Sequence, residues 1–481
     1  MTVRKYRCGV CAVGYYGRTK IYTDAAQVDA SNVTEVLRDA MNVHRGNLMQ
    51  IDYLLRYYRG QTPILNKTKE VRDSINNKLC VNRAHEIVSF KLGYGFGEPI
   101  QYIRRGQDET LSDDVATLNE FMFAADKNSA DRELAEWMYV CGIGYRMVMP
   151  SPVPDPEEPF RLVTLDPRFA FVVYHNDLYE EPVMAVKFIT RFDQTEVFSV
   201  YTKTEYFEVQ FGEITAHKGN PLGLIPIVEY PANTSRLGAF EIVLPLLDAI
   251  NEVESNRMDD LVQYVNSFLA LLGGQIDEQT YEALEKFKML CLPEGVDAKY
   301  LSTPMSQSDI QNFADSLYEY VLTICGLPNR NGGSSTSDTG SAVIMRDGWE
   351  SAETQMQAVE LMFKKSERLF LRIVLKILED TEGVNVALRY RDIEVKFSRR
   401  NYEGIVAKSQ VLVSMLSCGK IHPELAFVHS GMFLDPESAY LQSKKWWEEQ
   451  ERAARDQMPV QQALGEDRGQ GGDQVSQVRE D

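Results

Sequence analysis

Residues His217–Gly274 read HKGNPLGLIPIVEYPANTSRLGAFEIVLPLLDAINEVESNRMDDLVQYVNSFLALLGG. An extended segment punctuated by proline and glycine runs here into a long acidic helix, and neither carries a catalytic dyad. Leu224, Ile225, Ile227, Val228 and Tyr230 form the apolar, β-branched run of a short strand. Pro226 and Pro231 confine it to a sheet edge. The period then changes. Leu246, Ala249, Val253, Leu261, Val265 and Phe268 recur at helical spacing, Pro245 suits a first turn, and Gly273 and Gly274 supply a stop. Asp248, Glu252, Asp259 and Asp260 make the opposite face acidic, with Arg257 alone against them.

The rest of the chain must satisfy bounds set by size and charge. At 481 residues it exceeds what one hydrophobic core serves, so several subdomains are expected, and 44% hydrophobic residues suffice to fill them. No apolar run approaches the span of a bilayer, and MTVRKYRCGVCAVGYYG lacks the continuous apolar core of a signal peptide. Synthesis and assembly in the cytoplasm are expected. A net charge of −19, from 70 acidic against 51 basic residues, argues against a stable grip on duplex DNA. Two readings of that charge stay open: carboxylates that keep DNA from sticking as it passes through a wide channel, or a surface made soluble by excess acid.

Searches for chemistry exclude more than they suggest. There is no GxxxxGK[ST] phosphate loop, HExxH, GxSxG or paired CxxC array, so an enzyme is not expected. Gly93, Gly95 and Gly97 lack dinucleotide-loop spacing and read as turn glycines. Seven scattered cysteines argue against a disulfide framework. Cys8 and Cys11 form a CxxC without a second ligand pair, and His422 and His429 lie seven apart without a completing ligand. No metal and no cofactor are expected.

The pattern along the chain is α+β. A glycine-containing arm to about Ala30 precedes helical spacing from Asn32 to Ala40 and again from Leu48 to Gly60. A helix is predicted around Asn82–Leu92, and Leu111–Met138 is helical throughout. Strands are predicted over Val140–Met149, Arg161–Val173, Met184–Phe192, Thr195–Thr202 and Tyr206–Phe211. Past the acidic helix come a short helix Glu278–Phe287, a strand Met289–Leu292, and a turn into a second strand at PEGVDAKYL. A further helix, Ser308–Gly326, carries Ile310, Phe313, Leu317, Tyr320 and Val321. NRNGGSSTSDTG, from Asn329 to Gly340, offers no core anchor and reads as a mobile loop. Trp349, Ala352, Met356, Val359, Phe363, Phe370, Ile373 and Ile377 then stripe a helix predicted over Ser341–Glu379. Val384–Phe397 reads as strands, helices broken at Gly419 and at Gly431–Pro436 follow, and the end is expected to be disordered.

This order resembles the portal proteins of tailed bacteriophages, in particular the SPP1-type portal family. The resemblance is carried by the opening stretch together with LCVNRAHEIVSFKLGYGFGEPIQY from Leu79, DKNSADRELAEWMYVCGIGYRMVM from Asp126, LDPRFAFVVY from Leu165, CLPEGVDAKYL from Cys291 and GGSSTSDTGSAVIMRDG from Gly332. No one piece is a constrained signature; their order and spacing persuade. The resemblance implies a flexible arm (1–30), an α/β wing (31–235), a stem helix (236–272), a small α/β clip (273–306) and a second stem helix (307–328). It further implies a tunnel loop (329–340), a spine helix with wing strands (341–400), a helical crown (401–452) and a disordered tail (453–481).

The function so implied is a homo-oligomeric ring, expected to be a dodecamer, forming the DNA channel at one capsid vertex of the virion. Its expected partners are the terminase large subunit during packaging, the head–tail adaptor afterwards, the major capsid protein and scaffold, and double-stranded DNA passing without stable binding. No membrane is involved. Asn329, Arg330, Asn331, Ser334, Ser335, Thr336, Ser337 and Asp338 become channel-loop candidates, and Asp248, Glu252, Asp259 and Asp260 channel-lining ones. Glu278, Glu282, Lys286, Glu294, Asp297 and Lys299 become candidate contacts to motor or adaptor. The alternative is another head or neck structural protein, or a scaffold, acting by protein contacts alone.

Overall fold

Buried apolar residues from Val33 to Leu55 line one face of α1 (Val33–Tyr58). The pattern predicts two helical stretches here; the chain forms one helix. The positions that hide the period are polar yet buried: His44 donates from Nε2–H to the Arg168 carbonyl oxygen at 3.0 Å, and Asn47 bonds both the N–H and the carbonyl of Thr19 at 2.8 Å. The computed structural model describes residues 17–69, 74–105, 111–152, 155–265, 268–272, 297–301, 307–329, 348–399, 405–433 and 435–456. They fall into two units, one within Met1–Arg400 and one within Asn401–Asp481.

In the first unit, α1 packs on a six-stranded sheet of order β1-β5-β6-β7-β8-β9. The strands are β1 (Ile21–Thr23), β5 (Ala170–His175), β6 (Pro182–Thr190), β7 (Glu196–Tyr201), β8 (Glu205–Gln210) and β9 (Glu213–Gly219). β1 pairs parallel with β5, and the others form an antiparallel meander. The His44 ring lies 4.7 Å from Phe171 and 5.9 Å from Phe188, fixing helix to sheet. Residues 17–30 correct the expected loose arm. They supply β1 and a buried Arg18, whose guanidinium meets Glu241 at 2.5 Å. β9 lies beyond the predicted strands, because EITAHKG carries alternating polar side chains on a half-exposed edge and has no continuous apolar run.

A second sheet, β10-β3-β4, comprises β3 (Ile143–Pro150), β4 (Phe160–Leu165) and β10 (Ile227–Pro231). β10 is an edge strand, as its flanking prolines require. α2 (Arg83–Gly95), α3 (Ser112–Ala124) and α4 (Lys127–Cys141) pack nearby. The helical run predicted from Leu111 is broken at Asp126, which takes a left-handed φ of 48°, and Val140 and Cys141 belong to α4 rather than to a strand. Gly142 ends α4 at φ 81°, where a Cβ would meet the Arg236 carbonyl oxygen at 2.1 Å, so only glycine fits. From Val384 to Phe397 the regular strand is β13 (Ile393–Lys396), paired with β2 (Gln101–Arg104).

α7 (Trp349–Asp380) crosses β10, β3 and β4. Ala352, Met356, Phe363, Phe370, Ile373 and Ile377 are buried along it, as the stripe predicts. Its 32 residues span roughly 48 Å. One buried polar cluster pins it. Glu367 lies 2.9 Å from Lys127 and accepts from the hydroxyls of Tyr102 at 2.5 Å and Tyr230 at 2.7 Å. Asp131 meets Arg146 at 2.5 Å and Lys127 at 2.6 Å, so two cations face two carboxylates in a site closed to water. Burial opposes ionisation of Glu367, but Lys127, Arg146 and the two tyrosine hydroxyls hold its carboxyl below the ordinary range.

The second unit consists of α8 (Ile405–Ser417), α9 (Pro423–Ser430) and α10 (Pro436–Asp456), broken at the predicted places. α10 continues three residues past Ala453. His422 caps α9, its Nδ1 accepting from the Glu424 N–H at 3.3 Å.

Candidate functional site

α5 (Leu244–Val265) begins with Pro245 in its first turn, where a missing N–H costs nothing. Its root buries Leu244, Leu247 and Ile250. Beyond Ile250 the character changes: the buried residues described on this helix are Asn251, Ser255 and Asp259, at 1%, 0% and 2% exposure. They stand at i, i+4 and i+8 and so share one face. Along that face runs the segment 77–81, which belongs to no sheet among the described residues. The Val81 N–H donates to Asn251 Oδ1 at 2.8 Å, Leu79 to Ser255 Oγ at 2.9 Å, and Asn77 to Asp259 Oδ1 at 2.6 Å. Four helical residues rise about 6 Å and two extended residues about 6.7 Å, so each second N–H of the strap finds the next acceptor. The strap's alternate N–H donors, half-buried against the helix, are thereby satisfied without a β partner.

This arrangement divides the four acidic residues expected on one open face. Asp259 is enclosed, 2.5 Å from Lys69 and 3.8 Å from Lys67, and also accepts from Asn77 Nδ2 at 2.7 Å. Burial works against its charge, but the Lys69 and Asn77 hydrogen bonds outweigh it and hold the carboxyl below its ordinary value. Asp248 accepts from the Tyr57 hydroxyl at 2.8 Å, and burial raises its pKa more than that bond lowers it. Glu252 is exposed and Asp260 half-buried. Arg257 lies 3.7 Å from Glu254 and donates to Gln311 at 2.5 Å.

α6 (Gln307–Cys325) packs beside α5. Its predicted apolar set splits into two faces. Leu317 and Val321 join Ala314, Leu322 and Cys325 in burial, whereas Phe313, Tyr320 and Ile324 are 56%, 59% and 45% exposed along one line. Tyr318 anchors the helix to α2, donating to Glu86 at 2.7 Å beneath the Arg83 guanidinium, 3.9 Å from the ring. The helix ends at Gly326, whose φ is 65°. Asn329, at the root of the predicted loop, is half-buried. Arg330, Asn331, Ser334, Ser335, Thr336, Ser337 and Asp338 lie outside the described residues.

α5 stops at Val265, and Phe268–Leu272, predicted as its continuation, forms β11 instead. β11 pairs antiparallel with β12 (Asp297–Leu301), which places Asp297 opposite Leu272 and Lys299 opposite Ala270. Phe268 satisfied the helical spacing, but FLALL supports a strand equally well; the pairing across the insertion decides. Glu278, Glu282, Lys286 and Glu294 lie outside the described residues, as do the helix and first strand predicted around them, and Cys8 and Cys11.

Among the described residues no group of three His, Cys, Asp or Glu side chains could hold a metal ion, and no helix is long and apolar enough to cross a membrane. What the geometry offers is a pair of helices, one rooted in the core and clasped by a polar strap, the other with an uncovered apolar line. The signal for the strap was present in the sequence as Asn251, Ser255 and Asp259 at four-residue intervals, but its partner lies 170 or more positions away.

No curated protein matches the chain. Solved structures similar in fold include a chain from the neck of an empty gene transfer agent (GTA) particle computed with C6 symmetry, at 14% identity and TM-score 0.44, covering 73% of this chain and 90% of that one. A chain of the native GTA virion gives 14% identity and TM-score 0.45 over 80% and 94%. The neck of the native particle computed with C12 symmetry gives 13% and 0.40 over 73% and 90%. The family described as "Phage portal protein, SPP1 Gp6-like" matches residues 41–456, from within α1 to the end of α10, and the chain belongs to that family of phage portal proteins.

Proposed function

We propose that this chain is the subunit of a ring that forms the DNA channel at one capsid vertex, docking the terminase motor during genome packaging and the head–tail adaptor afterwards. The family match over residues 41–456 carries the reading. The exposed line of Phe313, Tyr320 and Ile324 supports it, since an uncovered apolar face on a helix is best buried against another copy. In this reading the ring is a dodecamer assembled in the host cytoplasm and held at the portal vertex among major capsid protein and scaffold. The segment 273–306, with Asp297 and Lys299 on β12, faces motor and adaptor, and the loop 329–340 faces DNA. Glu252 and Asp260 are the channel-wall candidates, while Asp248 and Asp259 hold the helix from behind. Mass photometry and negative-stain imaging test the reading: closed rings with a central hole are expected, and a monomer at every concentration overturns it.

A further inference from the structure

Both helices of the pair lose their apolar anchorage at the same level. On α5 full apolar burial ends at Ile250 and Val253 is the last apolar residue packed against the core, and on α6 full burial begins at Ala314, with Ser308, Asp309, Asn312 and Phe313 exposed before it. The outer half of α5 is therefore held by polar contacts: the three rungs to residues 77–81, the Lys67 bond to Asn256 at 2.6 Å, and the ion pair of Asp259 with Lys69. Arg257 bonded to Gln311 ties the outer half of α6 to the outer half of α5.

We infer that residues 77–81 are a latch. When the latch is closed, the outer halves of α5 and α6 are fixed to the body; when it opens, they turn together about a hinge near Asn251 and Ala314, with the β11–β12 pair at their tip. The physical basis is the contrast between the two halves. Apolar packing at the root is non-directional and lost only with the whole core, whereas each rung is a directional bond that water can replace. The two outer rungs, at Asp259 and Ser255, can open while Val81 and Val253 stay packed against the core and with Leu79 already 39% exposed, which is the condition for local opening below the global unfolding free energy. The inference concerns packing inside one chain and stands apart from the channel reading.

Hydrogen exchange on the full chain, followed by mass spectrometry, tests it with Ser255→Ala, which removes the middle rung, and Asp259→Asn, which keeps the shape and removes the charge. Exchange at least tenfold faster in peptides covering 252–265 and 308–313, with 244–250 unchanged, is the expected result. Unchanged exchange everywhere overturns the latch, and so does acceleration that reaches 244–250 equally, because the strap would then be part of one cooperative core. If Asp259→Asn fails to fold, Lys69→Ala weakens the same corner from the half-buried side and is read by the same criterion.

Discussion

Glu367 shows how much of this fold depends on one side chain. It receives two tyrosine hydroxyls and faces Lys127 and Arg146 with none of these groups open to water. Glu367→Gln keeps the volume but leaves two buried cations against Asp131 alone, and a loss of about 3–5 kcal/mol is expected in denaturant titration. The same carboxyl predicts a pH dependence. Its pKa in the folded chain is depressed, as is that of Asp259, so both contribute stability that is complete above the unfolded carboxylate range and lost as pH falls through the folded values. The thermal midpoint should therefore drop below about pH 4, and Glu367→Gln should flatten that slope. A wild-type midpoint constant down to about pH 2 would show that neither carboxylate is held in its charged form.

At the level of single elements, α6 separates packing within the chain from contact beyond it. Leu317 is buried, and Leu317→Ala should cost about 2–5 kcal/mol by leaving a cavity. Tyr320 and Ile324 stand half-exposed on the other side of the same helix. The double substitution Tyr320→Ser, Ile324→Ser should leave the unfolding midpoint of the chain nearly unchanged while shifting mass photometry from rings to smaller species. Rings of undiminished stability would place the copy-to-copy contact on another surface. The comparison uses two faces of one helix, so local helix propensity cannot account for the difference.

The whole molecule is strongly acidic, yet its carboxylates are not equivalent. Asp248 and Asp259 are engaged within the chain, which leaves Glu252 and Asp260 as the candidates of that set for the wall of the proposed channel. Replacing both by lysine should increase retention of duplex DNA by assembled rings at low salt, where screening is weakest, and the gain should fade as salt rises. Equal retention by wild type and variant at every salt concentration would remove these residues from the wall. Deleting Ser334–Ser337 should spare ring assembly and impair genome packaging or retention; unchanged packaging and infectivity would make residues 329–340 a linker only.

Local pattern alone determined the elements that stand on a strong period. Pro245 and the spacing that follows set the start of α5, the stripe from Ala352 to Ile377 set α7, and Pro226 and Pro231 set β10 at an edge. The order of these pieces also carried the family resemblance. Where polar residues kept the period, as His44 and Asn47 do inside α1, the pattern broke although the helix did not. Only the tertiary structure decided which charged residues were surface and which were joinery. Asp248, Glu252 and Asp259 are alike by helical phase, but Asp259 is enclosed because Asn77, 182 residues earlier, and Lys69 come to meet it. The 268–272 run likewise became a strand because β12 lies across the insertion. Periodicity reports that a helix has a face; what covers that face is a long-range property, and burial reverses the meaning of a charge once a partner arrives.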